Sequence, residues 1–202
     1  MKKVFKLISG VMLSSLGITM VIHAGLGVFP ITAMNMAIAN WLGVSIGVAG
    51  CLVELLILLL AYKLGEGLSL MGVVNMTIGS FAIDLWTLIL PKHPLMIVGI
   101  FLLPLAWYLS SSIGLGDTNQ NLLTNAILKR SKKGIGLIRG LQEILFMIIG
   151  LIGSQGAVTP LTVILSLFFG YIIQFEYKLL KYDPTKIKHK FLIKGKEVAL
   201  KN

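Results

Sequence analysis

Glu54 and Glu143 each stand midway along a long apolar stretch, where a carboxylate is costly and usually has a task. Arg139 precedes Glu143 by one helical turn, so the plainest role for Glu143 is a local ion pair that largely neutralises both charges. Glu54 has no such neighbour on its own helix. It could be protonated, pair with Arg139 across the molecule, or bind a cationic group. Read as helices, both stretches set the acid among small residues. Gly136, Arg139, Gly140, Glu143 and Gly150 are three, four or seven positions apart, and Gly43, Gly47, Gly50 and Glu54 are similarly spaced. Each stretch also carries a GxxxG pattern, Gly43 to Gly47 and Gly136 to Gly140, which predicts close approach of helix backbones on the acidic face.

Other polar residues carry weaker signals. Asp84 falls near the outer end of its apolar stretch and reads first as a solvated or capped interfacial acid, because a charge costs little there. His23 closes the first apolar run beside Gly25; an interfacial histidine is usually solvated, though it could gate by protonation. Asn75 could hydrogen-bond between helices. The chain holds no HExxH, GxSxG or P-loop, and its single cysteine, Cys51, can form neither an internal disulfide nor a cysteine metal site. Three scattered histidines do not make a metal site either. The residues therefore point away from an enzyme and call for no cofactor and no metal.

The elements that must position these side chains follow from composition. Apolar residues make up 56% and charged residues 13% of the chain, with a mean hydropathy of +0.90. Soluble domains run at roughly 45–50% and 25%. The expected fold is all-α: a polytopic transmembrane helix bundle of about six spans, at about 7–24, 44–62, 68–90, 95–113, 134–152 and 157–178. The first span follows Lys2, Lys3 and Lys6. Its apolar run is long for a signal peptide, and it is the counterpart of the fourth span, so it is expected to be retained.

The spans fall into two copies. At an offset of 89 residues Gly10 aligns with Gly99, Gly25-Leu26-Gly27 with Gly114-Leu115-Gly116, Ile46-Gly47 with Ile135-Gly136, and Glu54 with Glu143. The organisation predicted is 1–90 as the first membrane repeat, 91–178 as the second and 179–202 as a basic cytoplasmic tail. Of the 18 lysines and arginines, 16 fall in segments that share one side if the N-terminus is cytoplasmic; Lys92 and Arg139 are the exceptions. Both termini are then cytoplasmic by the positive-inside rule. Three spans per copy is an odd number, so the copies are inverted, a recurring plan of secondary transporters.

Each copy carries a short helical pattern after its Gly-Leu-Gly. Gly25, Gly27 and Pro30 introduce one, with Pro30 suited to a first helical turn; Gly114, Gly116 and Asp117 introduce the other, with Asp117 or Thr118 suited to an N-cap. These short helices are either amphipathic and interfacial or re-entrant. Their N-terminal ends could offer N–H groups to an anion. Expected partners are the lipid bilayer, anionic lipid heads beside the tail lysines, an unknown small-molecule substrate and a second copy of the chain. Nucleic acid is not expected, since the net charge of +10 reflects topology.

The segment His23-Ala24-Gly25-Leu26-Gly27-Val28-Phe29-Pro30, the pair Arg139 and Glu143, and Val74-Asn75 followed by Gly79 and Ile83-Asp84 resemble the YczE-type (YczE/YyaS/YitT) family of bacterial integral membrane proteins. The resemblance covers about residues 5–178. It implies a polytopic plasma-membrane protein; some relatives have been linked to export or production of secondary metabolites. Two positions depart from the family's pattern. Pro30 is followed by Ile31-Thr32 where Trp-Asp is common, and Asn119 stands where a proline is common. The expected function is a small secondary transporter or permease with a midplane site built on acidic residues. The alternative is a non-transporting accessory protein that binds a membrane partner, with lipid-handling chemistry ranked behind both.

Overall fold

The computed structural model describes residues 2–91, 96–111, 113–131, 133–179 and 191–193. Lys92, Lys132 and the tail lysines from Lys181 to Lys201 lie outside the described residues. In chain order the elements are α1 (Lys2–Ala24), α2 (Pro30–Leu42), α3 (Ile46–Lys63), β1 (Leu68–Ser69), α4 (Leu70–Ile89), α5 (Met96–Ser111), α6 (Asn119–Leu128), α7 (Ile135–Gly153), α8 (Pro160–Leu179) and β2 (Phe191–Ile193). The fold is all-α apart from one short antiparallel pairing, in which β2 returns from the tail to lie on β1. Among the described residues α1, α3, α4 and α7 are long and apolar enough to cross a membrane. They fit a membrane-embedded protein.

Local chemistry sets where these helices start and stop. Ser45, Ser69 and Thr118 are the N-caps of α3, α4 and α6, each side chain accepting a hydrogen bond from a backbone N–H three residues on. Pro30 occupies the first turn of α2, where its missing N–H costs nothing. Gly43 ends α2 in the left-handed region at φ 66°, as a C-cap. Inside α4, residues Asn75–Gly79 widen into a π turn. Such a turn leaves backbone groups displaced from the regular ladder, and the Ser15 hydroxyl of α1 donates to the Gly79 carbonyl at 2.8 Å.

Packing runs crosswise through the chain. α1 lies along α5, where a Cβ on Gly17 would come within 2.8 Å of the Gly99 carbonyl oxygen. The short α2 packs against the long α7, and the short α6 against the long α3. α4 flanks α3 and α8 flanks α7. The central core joins all four middle elements: Met34 from α2, Val53, Ile57 and Ala61 from α3, Leu122 and Leu123 from α6, and Phe146 from α7. Leu52, Leu55, Leu56 and Leu59 of α3 and Leu141, Leu145, Ile148 and Ile152 of α7 point outward instead. An apolar exterior around a polar interior is the arrangement a lipid solvent favours.

The two Gly-Leu-Gly loops share one backbone conformation. Gly25 and Gly114 have φ of 66° and 71°, and Gly27 and Gly116 have φ of 125° and 109°. Only glycine adopts the second pair readily. Both also face a neighbouring hydroxyl residue too closely for any Cβ: Gly27 lies against Thr159, just before α8, and Gly116 against Ser69, just before α4.

Both short helices are packed into the protein. Every residue of α6 from Asn119 to Ala126 is buried, as are Pro30, Thr32, Ala33, Met34, Asn35, Ala37 and Ala39 of α2. The GxxxG expectation is corrected at two glycines. Gly43 caps α2 and a Cβ there would meet nothing within 4 Å; Gly140 likewise has open space beside it. Close approach occurs at Gly47, whose Cβ would strike Asp84 and the Ser80 carbonyl, and at Gly150, whose Cβ would strike Ala33.

Candidate functional site

α6 runs between α3 and α7, and its first turn presents three amides in succession. Thr118 caps it, accepting from the Asn121 N–H at 3.3 Å, and the Asp117 carboxylate accepts from the Thr118 N–H at 2.9 Å. These bonds take up the Thr118 and Asn121 N–H groups at the start of α6. The amides instead address the three charged residues singled out by the sequence. Asn119 lies beside Glu54, its Nδ2 donating to the Glu54 main-chain oxygen at 3.5 Å and to the Gly72 carbonyl at 3.2 Å. Gln120 Nε2 donates to Glu143 Oε1 at 2.8 Å. Asn121 Oδ1 accepts from Arg139 Nη1 at 3.3 Å, while its Nδ2 donates to Asp117 Oδ1 at 2.7 Å.

Glu143 and Arg139 form the ion pair expected from their spacing, Oε1 to Nε at 3.0 Å, and both are almost wholly buried. With Gln120, Asn121 and Asp117 they make a continuous polar network. Such a network is strong when fully satisfied, because the low local dielectric strengthens each link. Glu54 differs. It is buried with the Asn119 amide beside it, and its Oε2 makes no hydrogen bond of ordinary geometry. Asn119 Oδ1 and Asn35 Oδ1, also buried, have none either. Asn35 projects from α2 onto Gly50, one turn before Glu54 on α3, and would lie within 3.2 Å of a Cβ there. Gln142, beside Glu143, is held to α6 through Thr124, whose hydroxyl donates to its Oε1 at 2.7 Å.

The remaining candidates separate from this cluster. Asp84 binds the start of α3, taking the Gly47 N–H at 2.8 Å and the Ser45 hydroxyl; this is the capped acid of the plainer expectation. His23 faces the Pro91 carbonyl, Nδ1 to oxygen 3.3 Å. Asn75 opens the π turn of α4. Gly25, Gly27, Gly114 and Gly116 shape the loops, Pro30 starts α2, and Asp117 belongs to the Arg139 network.

Four side chains of the cluster were not singled out by the sequence: Asn35, Gln120, Asn121 and Gln142. The signal for two of them was the run Asp117-Thr118-Asn119-Gln120-Asn121, a rare polar stretch in an apolar chain. Glu66 was missed as well. It is buried and pairs with Lys129 at 2.6 Å, tying the end of α3 to the end of α6.

Residues 1–188 match a family described as "Family of unknown function (DUF6198)". The chain belongs to that family. It is also similar to a Bacillus subtilis (strain 168) protein named "Uncharacterized protein YyaS", 28% identical over 169 residues that span 77% of this chain and 84% of the relative. That similarity supports the YyaS part of the resemblance carried by the loop and span residues. No solved structure matches the chain.

Proposed function

We propose that this chain is a small secondary transporter or permease of the bacterial plasma membrane. In this reading six helices span the bilayer as two inverted three-helix halves, both termini face the cytoplasm, and α2 and α6 are re-entrant. The observation that carries it is the turn Asn119-Gln120-Asn121, which sets amides against Glu54, Glu143 and Arg139 deep inside a protein with an apolar exterior. Buried ionisable groups within a membrane mark solute and ion pathways. The crosswise packing of each short helix on the long middle helix of the other half supports a pseudo-two-fold, as do the matched φ angles of the two Gly-Leu-Gly loops. Transporters built this way place their sites at the interface of the halves. Kinship with the wider YczE-type group belongs to the same proposal.

The buried Gly140, one turn from Glu143, has room for a side chain that no neighbour fills. The test is uptake into liposomes holding the purified full chain, driven by a pH gradient, across a broad panel of small solutes. Wild type should move at least one solute class, while Gly140→Leu and Glu54→Gln should lose that flux without losing the folded protein. If wild type moves none of the panel in either gradient direction, the transporter reading fails.

A further inference from the structure

The tail of the chain returns to the support of the candidate site. β2 pairs antiparallel with β1, with Leu68 opposite Ile193 and Ser69 opposite Phe191. Ser69 is the residue that fixes the approach to α6. Its hydroxyl donates to the Asp117 carbonyl, and its Cβ leaves no room for a side chain on Gly116. Gly72 gives its N–H to the same hydroxyl at 2.8 Å, while its carbonyl accepts from Asn119 Nδ2 at 3.2 Å. Only Ser69 and the residues it bonds thus separate β2 from the turn that faces Glu54, Glu143 and Arg139. The other half has the matching place without a strand. Thr159 stands just before α8 as Ser69 stands just before α4, packs on Gly27 as Ser69 packs on Gly116, and donates to the Leu26 carbonyl at 2.9 Å. Among the described residues no strand lies on Thr159. The pairing is also slight, with a shift of register between Leu68 and Ser69. A two-stranded pairing is marginal by itself, so a modest competing attraction can release it. In the sequence β2 lies between Lys186, Lys188 and Lys190 on one side and Lys194 and Lys196 on the other. Lysines clustered beside a membrane helix are drawn to anionic lipid heads.

We propose that β2 is a latch: paired with β1 it restrains the start of α6, and capture of its flanking lysines by an anionic lipid surface draws it away. This rests on the permease reading and gives that site its regulation. With β2 docked, β1 is held on two sides, by the strand and by the turn at Gly116 and Asp117. A movement that parts α6 from α4 then strains one of those two contacts. With β2 released, the turn alone holds β1. Attraction between lysines and a negative surface is screened by salt, so release weakens as ionic strength rises. The lipid surface is favoured as the releasing partner because the tail follows directly on α8, an apolar helix.

The test uses the full chain carrying Cys51→Ser, Leu68→Cys and Ile193→Cys. The last two positions oppose each other in the pairing, where Cβ atoms lie about 4.5–5.5 Å apart, close enough for a disulfide after a small adjustment. Mild oxidation in phosphatidylcholine vesicles should cross-link most of the protein. Vesicles rich in phosphatidylglycerol should lower the cross-linked fraction at least about threefold, and high salt should restore it. Changing Lys188, Lys190, Lys194 and Lys196 to glutamine in the same protein should make the fraction equal in the two lipids. Hydrogen exchange over residues 191–193 of the unsubstituted chain gives the same reading should the cysteine protein fail to fold; exchange should be slow in phosphatidylcholine and at least about tenfold faster in phosphatidylglycerol. Absence of the cross-link with fast exchange in both lipids, pairing indifferent to phosphatidylglycerol, or a lipid effect that survives the lysine changes would overturn the latch. Lipid-dependent pairing without liposome flux would leave the strand switch standing and defeat the permease; solute flux with lipid-indifferent pairing would do the reverse.

Discussion

Glu54 and Glu143 occupy matching positions 89 residues apart, on helices of similar length and apolarity, and their surroundings are opposite. Glu143 accepts from Gln120 and is paired with Arg139, which is itself tied to Asn121 and through it to Asp117. The Asn119 amide meets the main-chain oxygen of Glu54, and the Glu54 Oε2 makes no hydrogen bond of ordinary geometry. At the position matching Arg139 the first half has Gly50, and the amide of Asn35 lies there in place of a guanidinium. The difference teaches that two acids at matching positions of the sequence can sit in opposite surroundings. The Glu143 carboxylate, held by Gln120 and Arg139, ties α6 to α7; at Glu54 an acceptor is left unmatched in a buried setting, where that is costly.

Removing the Glu143 side should break the molecule. Arg139→Ala leaves a buried carboxylate uncompensated and should cost about 3–5 kcal/mol, whereas the paired change Arg139→Met with Glu143→Leu should recover most of that loss. Folded yield and melting in detergent would read both; a stable Arg139→Ala protein would make the ion pair dispensable. A second contrast concerns one glycine on each of the two helices that carry these acids. A Cβ on Gly47 would lie 2.4 Å from the Ser80 carbonyl oxygen, while one on Gly140 would touch nothing within 4 Å. Gly47→Ala should therefore cost about 1–3 kcal/mol by overpacking, and Gly140→Ala should be near neutral or slightly stabilising through helix propensity. Equal losses would show that the space beside Gly140 is needed for folding.

The contrast sharpens at the amides. Asn119→Ala removes a neighbour of Glu54, and Gln120→Ala removes a donor from a buried carboxylate; the second should cost more, about 1–3 kcal/mol against about 1. Thermal melts that reverse this order would contradict the assignment of roles. The smallest effect is expected at Lys129→Ala. Its side chain is 55% exposed, so its bond to Glu66 should be worth no more than about 1 kcal/mol despite the short distance.

Much of this architecture was legible in the residues. All six predicted long helices and both short ones occur within a few positions of where apolar runs, capping residues and glycines put them, because those signals are local. The Arg139–Glu143 pair was legible for the same reason, since one helical turn fixes it. What could not be read was which helix faces which. The crossing of α2 onto α7 and of α6 onto α3 depends on contacts distant in the chain. Hence Asn119, Gln120 and Asn121 looked like polar residues at a helix start, and Asn35 like one asparagine in an apolar segment. Gly43 was read as a packing glycine because its spacing to Gly47 matches that pattern, yet the turn out of α2 needs it at positive φ. The pairing of Phe191–Ile193 with Leu68–Ser69 had no sequence signal at all.

The central claim, that the fold needs the partners of Glu143 and does not need the Glu54 charge, is tested most directly by melting Glu54→Gln and Glu143→Gln side by side. The account predicts that Glu54→Gln melts within about 2 °C of wild type, whereas Glu143→Gln, which leaves Arg139 without its carboxylate, falls by roughly 6 °C or more. Equal losses in the two variants, or a larger loss at Glu54, would contradict it.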